Sequence, residues 1–225
     1  MILTFCLRAT KKTGKKNLKD EKKEGETSSG PPPTKRRKGR AAAASDAEPS
    51  YVQKIEVKID IPQDLKRFLL DDCDFVTRQK QLVPVPKPAN LTVKGICESY
   101  MEDRQQNSTG PRESTLSEVT SGIMEYFNVM LGSHLLYKFE RTQYSDILKD
   151  YPNKPMCEMY GCEHLLRLFV KLSTVLSYSS LDETSMEFIV IHIHDFLEYM
   201  MKCSEDLFAA EYETATPDYH RRSAV

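Results

Sequence analysis

Long apolar runs are missing from this sequence. A helix that spans a membrane needs about 18 consecutive apolar residues, and no part of the 225-residue chain approaches such a run. The opening MILTFCL is apolar, but no basic region precedes it and no small-residue cleavage site follows it, which is unlike a secretory signal. We therefore expect neither a membrane anchor nor secretion.

Signatures of catalysis are missing too. The sequence contains no glycine-rich phosphate loop, no serine nucleophile elbow and no H-E-x-x-H zinc motif. His192 and His194 are two positions apart, which places them on different sides of a helix, so they could not share a metal ion. His192 and Asp195 have the spacing of a surface pair more than of a catalytic dyad. We predict no catalytic residues and favour a binding protein over an enzyme.

Cysteine is too scattered to suggest a disulfide framework. With no secretory signal, a reducing compartment is the default for the six cysteines. Cys157, Cys162 and His164 lie close together in MCEMYGCEH and could be imagined as zinc ligands. Their spacing is not a standard pair, however, and no fourth ligand follows nearby. We expect no metal site and no cofactor.

The charge is divided unequally along the chain. Residues 1–50 hold 13 Lys and Arg against 6 Asp and Glu, whereas the remainder holds 19 against 27, so a net charge of −1 conceals a basic arm on an acidic body. The arm is rich in Lys, Gly, Ser and Pro and has little apolar surface to bury, which predicts disorder.

Within the arm, PPPTKRRKGR contains five basic residues in six positions. Such a run is typical of a nuclear-import signal or of a phosphate-binding patch, and a solvated tail is the simplest alternative. We favour nuclear import. The residues of this import-like run are Lys35, Arg36, Arg37, Lys38 and Arg40.

Apolar periodicity predicts that residues 51–225 form one mainly α-helical, compact multi-helix domain with a small β element at its entrance. Residues 55–61, IEVKIDI, alternate strictly and predict a short, half-buried strand. Helical spacing follows in six segments, at residues 63–79, 91–104, 115–131, 143–149, 163–178 and 182–203. Capping-box spacings at Thr115 (TLSE) and Ser180 (SLDE) predict the starts of the third and last of these helices.

Two segments could do more than fill a core. In EYFNVMLGSHLLYKFERTQY, residues 125–144, an apolar helical stripe ends at Gly132, and residues 134–140 are compatible with a helical turn or an extended segment. The helix at 163–178 is apolar around most of its girth, with only Arg167 and Lys171 interrupting on one side. Such a helix is either central in the core or offers an apolar stripe to a partner.

Several blocks of the sequence resemble one family, the MRG domain of chromatin adaptor proteins. The resemblance covers about three-quarters of the chain, from Val57 onward. The blocks are IPQDLKRFLLDDCDFVTRQKQL, EYFNVMLGSHLLYKFERTQY, MYGCEHLLRLFV, SLDETS, HDFLEYM and PDYHRRSAV. The resemblance implies a non-enzymatic, nuclear adaptor subunit of histone acetyltransferase and deacetylase complexes, whose helical domain binds short hydrophobic segments of partner proteins. Association with chromatin would then be mostly indirect.

The resemblance also implies a partner-binding surface, at Ile61, Leu70, Cys73, Tyr137, Val170 and Lys171. Cys73 stands where relatives usually have tryptophan, and the chain has no tryptophan at all. Because large aromatic residues often anchor interfaces, this change raises the alternative of a divergent paralogue with impaired partner binding. Longer family members carry a chromodomain that reads methylated lysine, and residues 1–50 could not form one.

A second alternative is direct, weak nucleic-acid contact through the basic arm. Phosphate contacts by Lys and Arg make such binding fall steeply with salt. The acidic body argues against sequence-specific reading of DNA by the folded part. We therefore rank this alternative below an interaction module that binds protein subunits.

Overall fold

The computed structural model describes residues 57–106, 113–179, 181–209 and 211–224. The predicted disordered arm and its import-like run lie outside these residues. In the part of the chain that the structure describes, no helix is long and apolar enough to cross a membrane.

Helices dominate the described residues, which confirms the prediction of a mainly α fold. The helices are α1 (Gln63–Thr77), α2 (Val93–Gln106), α3 (Glu113–Met130), α4 (Arg141–Asp150), α5 (Cys162–Ser177), α6 (Glu183–Lys202), α7 (Ser204–Leu207) and α8 (Pro217–Ser223). The strands are β1 (Gln81–Leu82) and β2 (Glu213–Thr214). Short 3-10 turns at Ala89–Leu91, Lys138–Glu140 and Met156–Glu158 and a π turn at Leu131–Leu135 join them.

The small β element differs in position from the predicted strand. The two strands pair antiparallel, with Gln81 opposite Thr214 and Leu82 opposite Glu213, whereas residues 57–61 belong to no strand. Their alternation still separates buried from exposed side chains. Their backbone, however, bonds to helices, because Val57 accepts from the Ser173 hydroxyl at 3.0 Å and the Asp60 amide donates to His194 Nε2 at 3.0 Å.

The core lies around α5. Every residue from Cys162 to Phe169 is buried, and the helix packs against α1, α2, α3 and the π turn. Phe127, Phe169 and Phe196 are fully buried, and Tyr100 packs edge-on against Phe196 with ring centroids 4.7 Å apart. Each fully buried Phe contributes about 1.5–3 kcal/mol through the hydrophobic effect. This core fixes α5 as the central support of the domain.

Two predicted helix caps are wrong. Thr115 lies inside α3, which already includes Glu113, so its hydroxyl does not cap the helix. α6 begins at Glu183 after Asp182, whose carboxylate accepts from the Ser185 amide. Aspartate is as good an N-cap as serine, and it lies directly before the helix. Ser180 itself falls outside the described residues.

The C-terminal segment, residues 204–209 and 211–223, crosses over α1 and the 3-10 turn at Lys138–Glu140. Its rings contact both elements. Phe208 stacks on Phe68, Tyr212 lies tilted against Phe75 and Tyr219 packs edge-on against Phe139, with ring centroids 4.2, 4.7 and 5.1 Å apart. This segment therefore packs against α1, which also contributes Leu69 to the candidate site.

Candidate functional site

A groove with a volume of about 430 Å³ lies between α1, the π turn with the segment that follows it, and α5. It is lined by Leu69, His134, Leu135, Leu136, Tyr137, Arg167, Val170 and Lys171. We call this cavity the groove. The sequence left open whether residues 134–140 are helical or extended. In the structure the π turn ends at Leu135, Leu136 and Tyr137 are extended, and a 3-10 turn follows.

The wall of the groove is mostly apolar, with four aliphatic residues and Tyr137 among its eight lining residues, and it is partly open to solvent. Val170 is 45% exposed although the preceding eight residues of α5 are buried. On α1, Leu69 lines the groove and the neighbouring Leu70 is 71% exposed. Exposed aliphatic side chains of this size beside a cavity are typical of an interaction site.

Tyr137 lies over a buried cation. Its ring centroid is 4.2 Å from the guanidinium carbon of Arg167, a cation–π contact that holds the ring in place. Burial raises the pKa of the Tyr137 phenol, so its hydroxyl keeps its proton. The Tyr137 amide donates to Glu140 Oε2 at 2.8 Å. Ring and backbone are thus both fixed before any ligand arrives.

Arg167 is held by two carboxylates and a carbonyl. Its Nε and Nη2 donate to the two oxygens of Asp72 at 2.7 and 2.6 Å. Its Nη1 donates to Glu140 Oε2 at 2.6 Å and to the Leu135 carbonyl at 3.0 Å. Burial disfavours the cation, but the Glu140 and Asp72 charges and their hydrogen bonds raise the pKa of Arg167 above its usual range. Such bidentate pairing gives the guanidinium a single orientation.

Glu140 and Tyr212 extend this charge cluster on either side. Glu140 Oε1 accepts from His164 Nε2 at 2.8 Å, since a carboxylate can only accept. Burial opposes ionisation of Glu140, yet His164 and Arg167 lower its pKa to about 2. The Tyr212 hydroxyl donates to Asp72 Oδ1 at 2.8 Å. We call these five side chains, Asp72, Glu140, His164, Arg167 and Tyr212, the charge cluster.

Three of the six predicted partner-binding residues line the groove. They are Tyr137, Val170 and Lys171. Cys73 is half-buried on α1, within hydrogen-bonding reach of the Tyr137 phenol. Leu70 and Ile61 do not line the groove. Leu70 is exposed on α1 next to Leu69, and Ile61 packs partly buried against the core.

The residues that organise the groove were not found from the sequence. In the sequence, Arg167 stands out only as an interruption of an apolar helix, and no pattern assigns a role to Asp72 or Glu140. The usable signal was the charge itself, because an arginine in a helix with buried residues all round needs a carboxylate partner. The sequence does not show which carboxylate, since Asp72 is 95 positions away.

The residues first considered for catalysis or metal binding have structural partners. Asp195 accepts from the Tyr100 hydroxyl at 2.7 Å and from Arg104 Nε at 2.8 Å. The Cys162 thiol donates to the Leu207 carbonyl at 2.8 Å, and burial raises its pKa. Within the described ranges, no group of three or more His, Cys, Asp or Glu side chains is arranged to hold a metal ion.

Comparison with known proteins gives one consistent match. A sequence model of the MRG family matches residues 35–214. Mortality factor 4-like protein 1 of Homo sapiens is 48% identical over 178 residues, 78% of this chain and 49% of that protein. Its Pongo abelii counterpart is 48% identical over 178 residues, 78% of this chain and 54% of that protein. Mortality factor 4-like protein 2 of Homo sapiens is 46% identical over 180 residues, 79% of this chain and 62% of that protein. The chain thus spans about half to three-fifths of the length of these relatives.

Proposed function

We propose that this chain, which belongs to the MRG family, is a non-enzymatic adaptor subunit of chromatin-modifying complexes in the nucleus. Its groove binds short hydrophobic segments of other subunits in histone acetyltransferase and deacetylase assemblies. Its association with chromatin is then mostly indirect, through those subunits. The partner-binding residues are the six predicted above, with Tyr137, Val170 and Lys171 at the centre.

The observation that carries this proposal is the combination of an open aliphatic wall with a fixed aromatic ring. Val170 and Leu70 are large apolar side chains that remain exposed, so a bound apolar segment would remove them from water. Tyr137 is already oriented by Arg167. A site that is ordered before binding loses less entropy when a ligand arrives. A helix or strand carrying a few apolar side chains would fit such a groove.

Val170→Asp and Tyr137→Ala test the proposal. Tagged full-length chains are used to capture proteins from nuclear extract, which are identified by mass spectrometry. We expect the wild-type chain to recover acetyltransferase or deacetylase subunits and both variants to lose them. Ile191→Asp is the matched control, because Ile191 is 64% exposed on α6 and does not line the groove. Circular dichroism checks that all chains are folded. Unchanged capture by both groove variants would refute the proposal.

The basic arm supplies the nuclear address in this proposal. Replacement of Lys35, Arg36, Arg37, Lys38 and Arg40 by alanine should move a fluorescent fusion from the nucleus to the cytoplasm. The alternative of nucleic-acid binding rests on the arm's excess of 13 basic over 6 acidic residues. It predicts an affinity for DNA that falls steeply with salt and disappears when residues 1–50 are removed.

A further inference from the structure

The groove is lined by basic side chains and by no acidic ones among the described residues. Three of its eight lining residues are His134, Arg167 and Lys171, and the other five are apolar or aromatic. Arg167 is buried and already paired. The Lys171 side chain is exposed and makes no ion pair or hydrogen bond with any residue that the structure describes. Lys171 is therefore the cation still open to a ligand.

The carboxylates of the charge cluster are not available to bind a ligand in the groove. Asp72 and Glu140 are 3% and 1% exposed. Each of their four oxygens accepts at least one hydrogen bond from Arg167, and three also accept from Tyr212, His164 or the Tyr137 amide. A donor on a bound segment would find these acceptors occupied and shielded from the groove.

We propose that the partner segment carries an acidic side chain beside its apolar residues and that Lys171 receives this carboxylate at the rim of the groove. This inference rests on the proposed function of the groove and adds the chemistry of its ligand. Val170 and Lys171 are consecutive on α5, and Lys171 lies one turn after Arg167, so it is on the same side of the helix. A segment with its apolar side chain on Val170 and Tyr137 therefore has its flanking residue within reach of Lys171.

Charge also disfavours the chain's own arm as the occupant. The arm, residues 1–50, has 13 basic against 6 acidic residues, so it would bring like charge to Lys171. Like charges juxtaposed at an interface suppress binding of the wrong partner. A segment of another protein that has both apolar and acidic side chains matches the apolar lining of the groove and the charge of Lys171.

Selection from a displayed library of short random peptides tests the inference. The full-length wild-type chain and the Lys171→Glu chain are used as bait in parallel. We expect the wild-type chain to enrich peptides with Asp or Glu next to apolar residues. The Lys171→Glu chain should lose that acidic preference and favour Lys or Arg in its place. Lys202→Glu is the matched control, because it makes the same charge change at an exposed position of α6 outside the groove.

Binding kinetics separate the rim charge from the apolar wall. For one selected peptide, Lys171→Glu should slow association on the order of tenfold at low salt, with a smaller difference at high salt. Lys171→Gln should weaken binding roughly two- to fivefold, as expected for an exposed pair. Val170→Asp should instead speed dissociation, because it disrupts the desolvated wall. Replacement of the peptide's acidic residue by its amide should reproduce Lys171→Gln.

Four results would overturn the inference, and they are distinguishable. Selected peptides without acidic enrichment, whose binding Val170→Asp still abolishes, would refute it and leave the proposed function standing. Recovery of no peptide, together with no nuclear partner, would refute both. If a peptide of residues 1–12 bound the groove more tightly than the selected peptides, the arm would be the occupant instead. A dimer in sedimentation velocity that Val170→Asp dissociates would make a second copy the occupant.

Discussion

At the scale of single residues, Glu140 links the stability of the site to acidic pH. Its pKa of about 2 lies below the ordinary value of 4.5, so the folded state favours the carboxylate more than the unfolded chain does. The resulting stability is fully present above about pH 5 and is lost as pH falls towards 2. A shift of this size is linked to about 3 kcal/mol. Most of this depends on the Arg167 and His164 contacts.

Glu140→Gln should therefore flatten the acid limb of the stability profile. We expect the wild-type free energy of unfolding to fall by up to about 3 kcal/mol more than that of the variant between pH 5 and pH 2. At neutral pH the variant should be the less stable of the two, because Arg167 loses a charged partner. Urea unfolding followed by circular dichroism at several pH values measures both effects. Parallel profiles would show that Glu140 does not carry this linkage.

Cys73 tests whether the groove is weakened at a position where the resemblance to the MRG family implies tryptophan. The thiol is half-buried next to the Tyr137 phenol, so a larger ring there would extend the apolar wall. We expect Cys73→Trp to tighten binding of a peptide selected on the wild-type chain by roughly five- to thirtyfold, or about 1–2 kcal/mol. Isothermal titration calorimetry measures this change.

Cys73→Ser serves as the control, since it keeps the volume and removes the sulfur. It should change affinity little. Equal affinity of the wild-type and Cys73→Trp chains would mean that the groove does not depend on this position.

Local periodicity predicts burial at the residue scale but not the charged partners. The stripe at Phe127, Met130 and Leu131 is buried as its helical spacing implies. The pairing of Arg167 with Asp72 and Glu140 brings together residues 95 and 27 positions apart. No local pattern contains that information, because it arises from how three elements pack.

At the scale of elements, α5 is a central core helix whose later residues also line the groove, so the partner-binding interpretation of its sequence stays a prediction. Its first eight residues are buried on every side, as in a central core helix. Val170 and Lys171 then face the groove, as in a partner-binding stripe. The bounds of α1, α5 and α6 agree with the predicted ranges within two residues. Periodicity located these helices because each has a continuous apolar stripe.

The predicted strand and caps were wrong for a shared physical reason. An alternating segment such as residues 57–61 needs only one buried face, and helices can cover that face as well as a strand can. Likewise, Asp182 supplies the capping oxygen for which Ser180 was proposed. In both cases the pattern identified the need for a partner. The tertiary structure supplied it for residues 57–61, whereas a nearer residue of the same sequence supplied it for α6.

Close approach at Gly95 offers an element-scale test. A Cβ added to Gly95 would lie 2.2 Å from the Ala89 carbonyl oxygen, so the backbone of the preceding 3-10 turn would have to move. Alanine is favoured over glycine inside a helix by about 1 kcal/mol, but we expect the clash to prevail. Gly95→Ala should destabilise the chain by about 1–3 kcal/mol in urea unfolding.

Gly132→Ala is the comparison for Gly95→Ala. There the added Cβ would meet the Tyr144 hydroxyl at 2.7 Å, the far end of a side chain that can shift. The loss of stability should be smaller. An equal or larger loss at Gly132 would contradict the view that backbone crowding makes Gly95 the more constrained position.

At the scale of the whole molecule, residues distant in sequence combine to make the groove. Asp72 comes from α1, Glu140 from a 3-10 turn, Arg167 from α5 and Tyr212 from the C-terminal segment. Because this segment also stacks Phe208 on Phe68, it supports α1 at two places. Sequence blocks indicated the family and its surface, but only the assembled fold shows that the chain's end supports the site.

Tyr212→Phe tests this long-range support. The variant keeps the ring that packs on Phe75 and removes the hydroxyl that donates to Asp72. We expect a loss of about 1–2 kcal/mol in the free energy of unfolding, because a hydrogen bond to a charged acceptor disappears. Asp72 then holds Arg167 less firmly, and Arg167 is the support beneath Tyr137, so binding of a selected peptide should weaken a few-fold. Tyr151→Phe, on an exposed ring outside the groove, should change neither quantity. Lower stability with unchanged peptide affinity would show that the C-terminal segment supports the fold without positioning the groove.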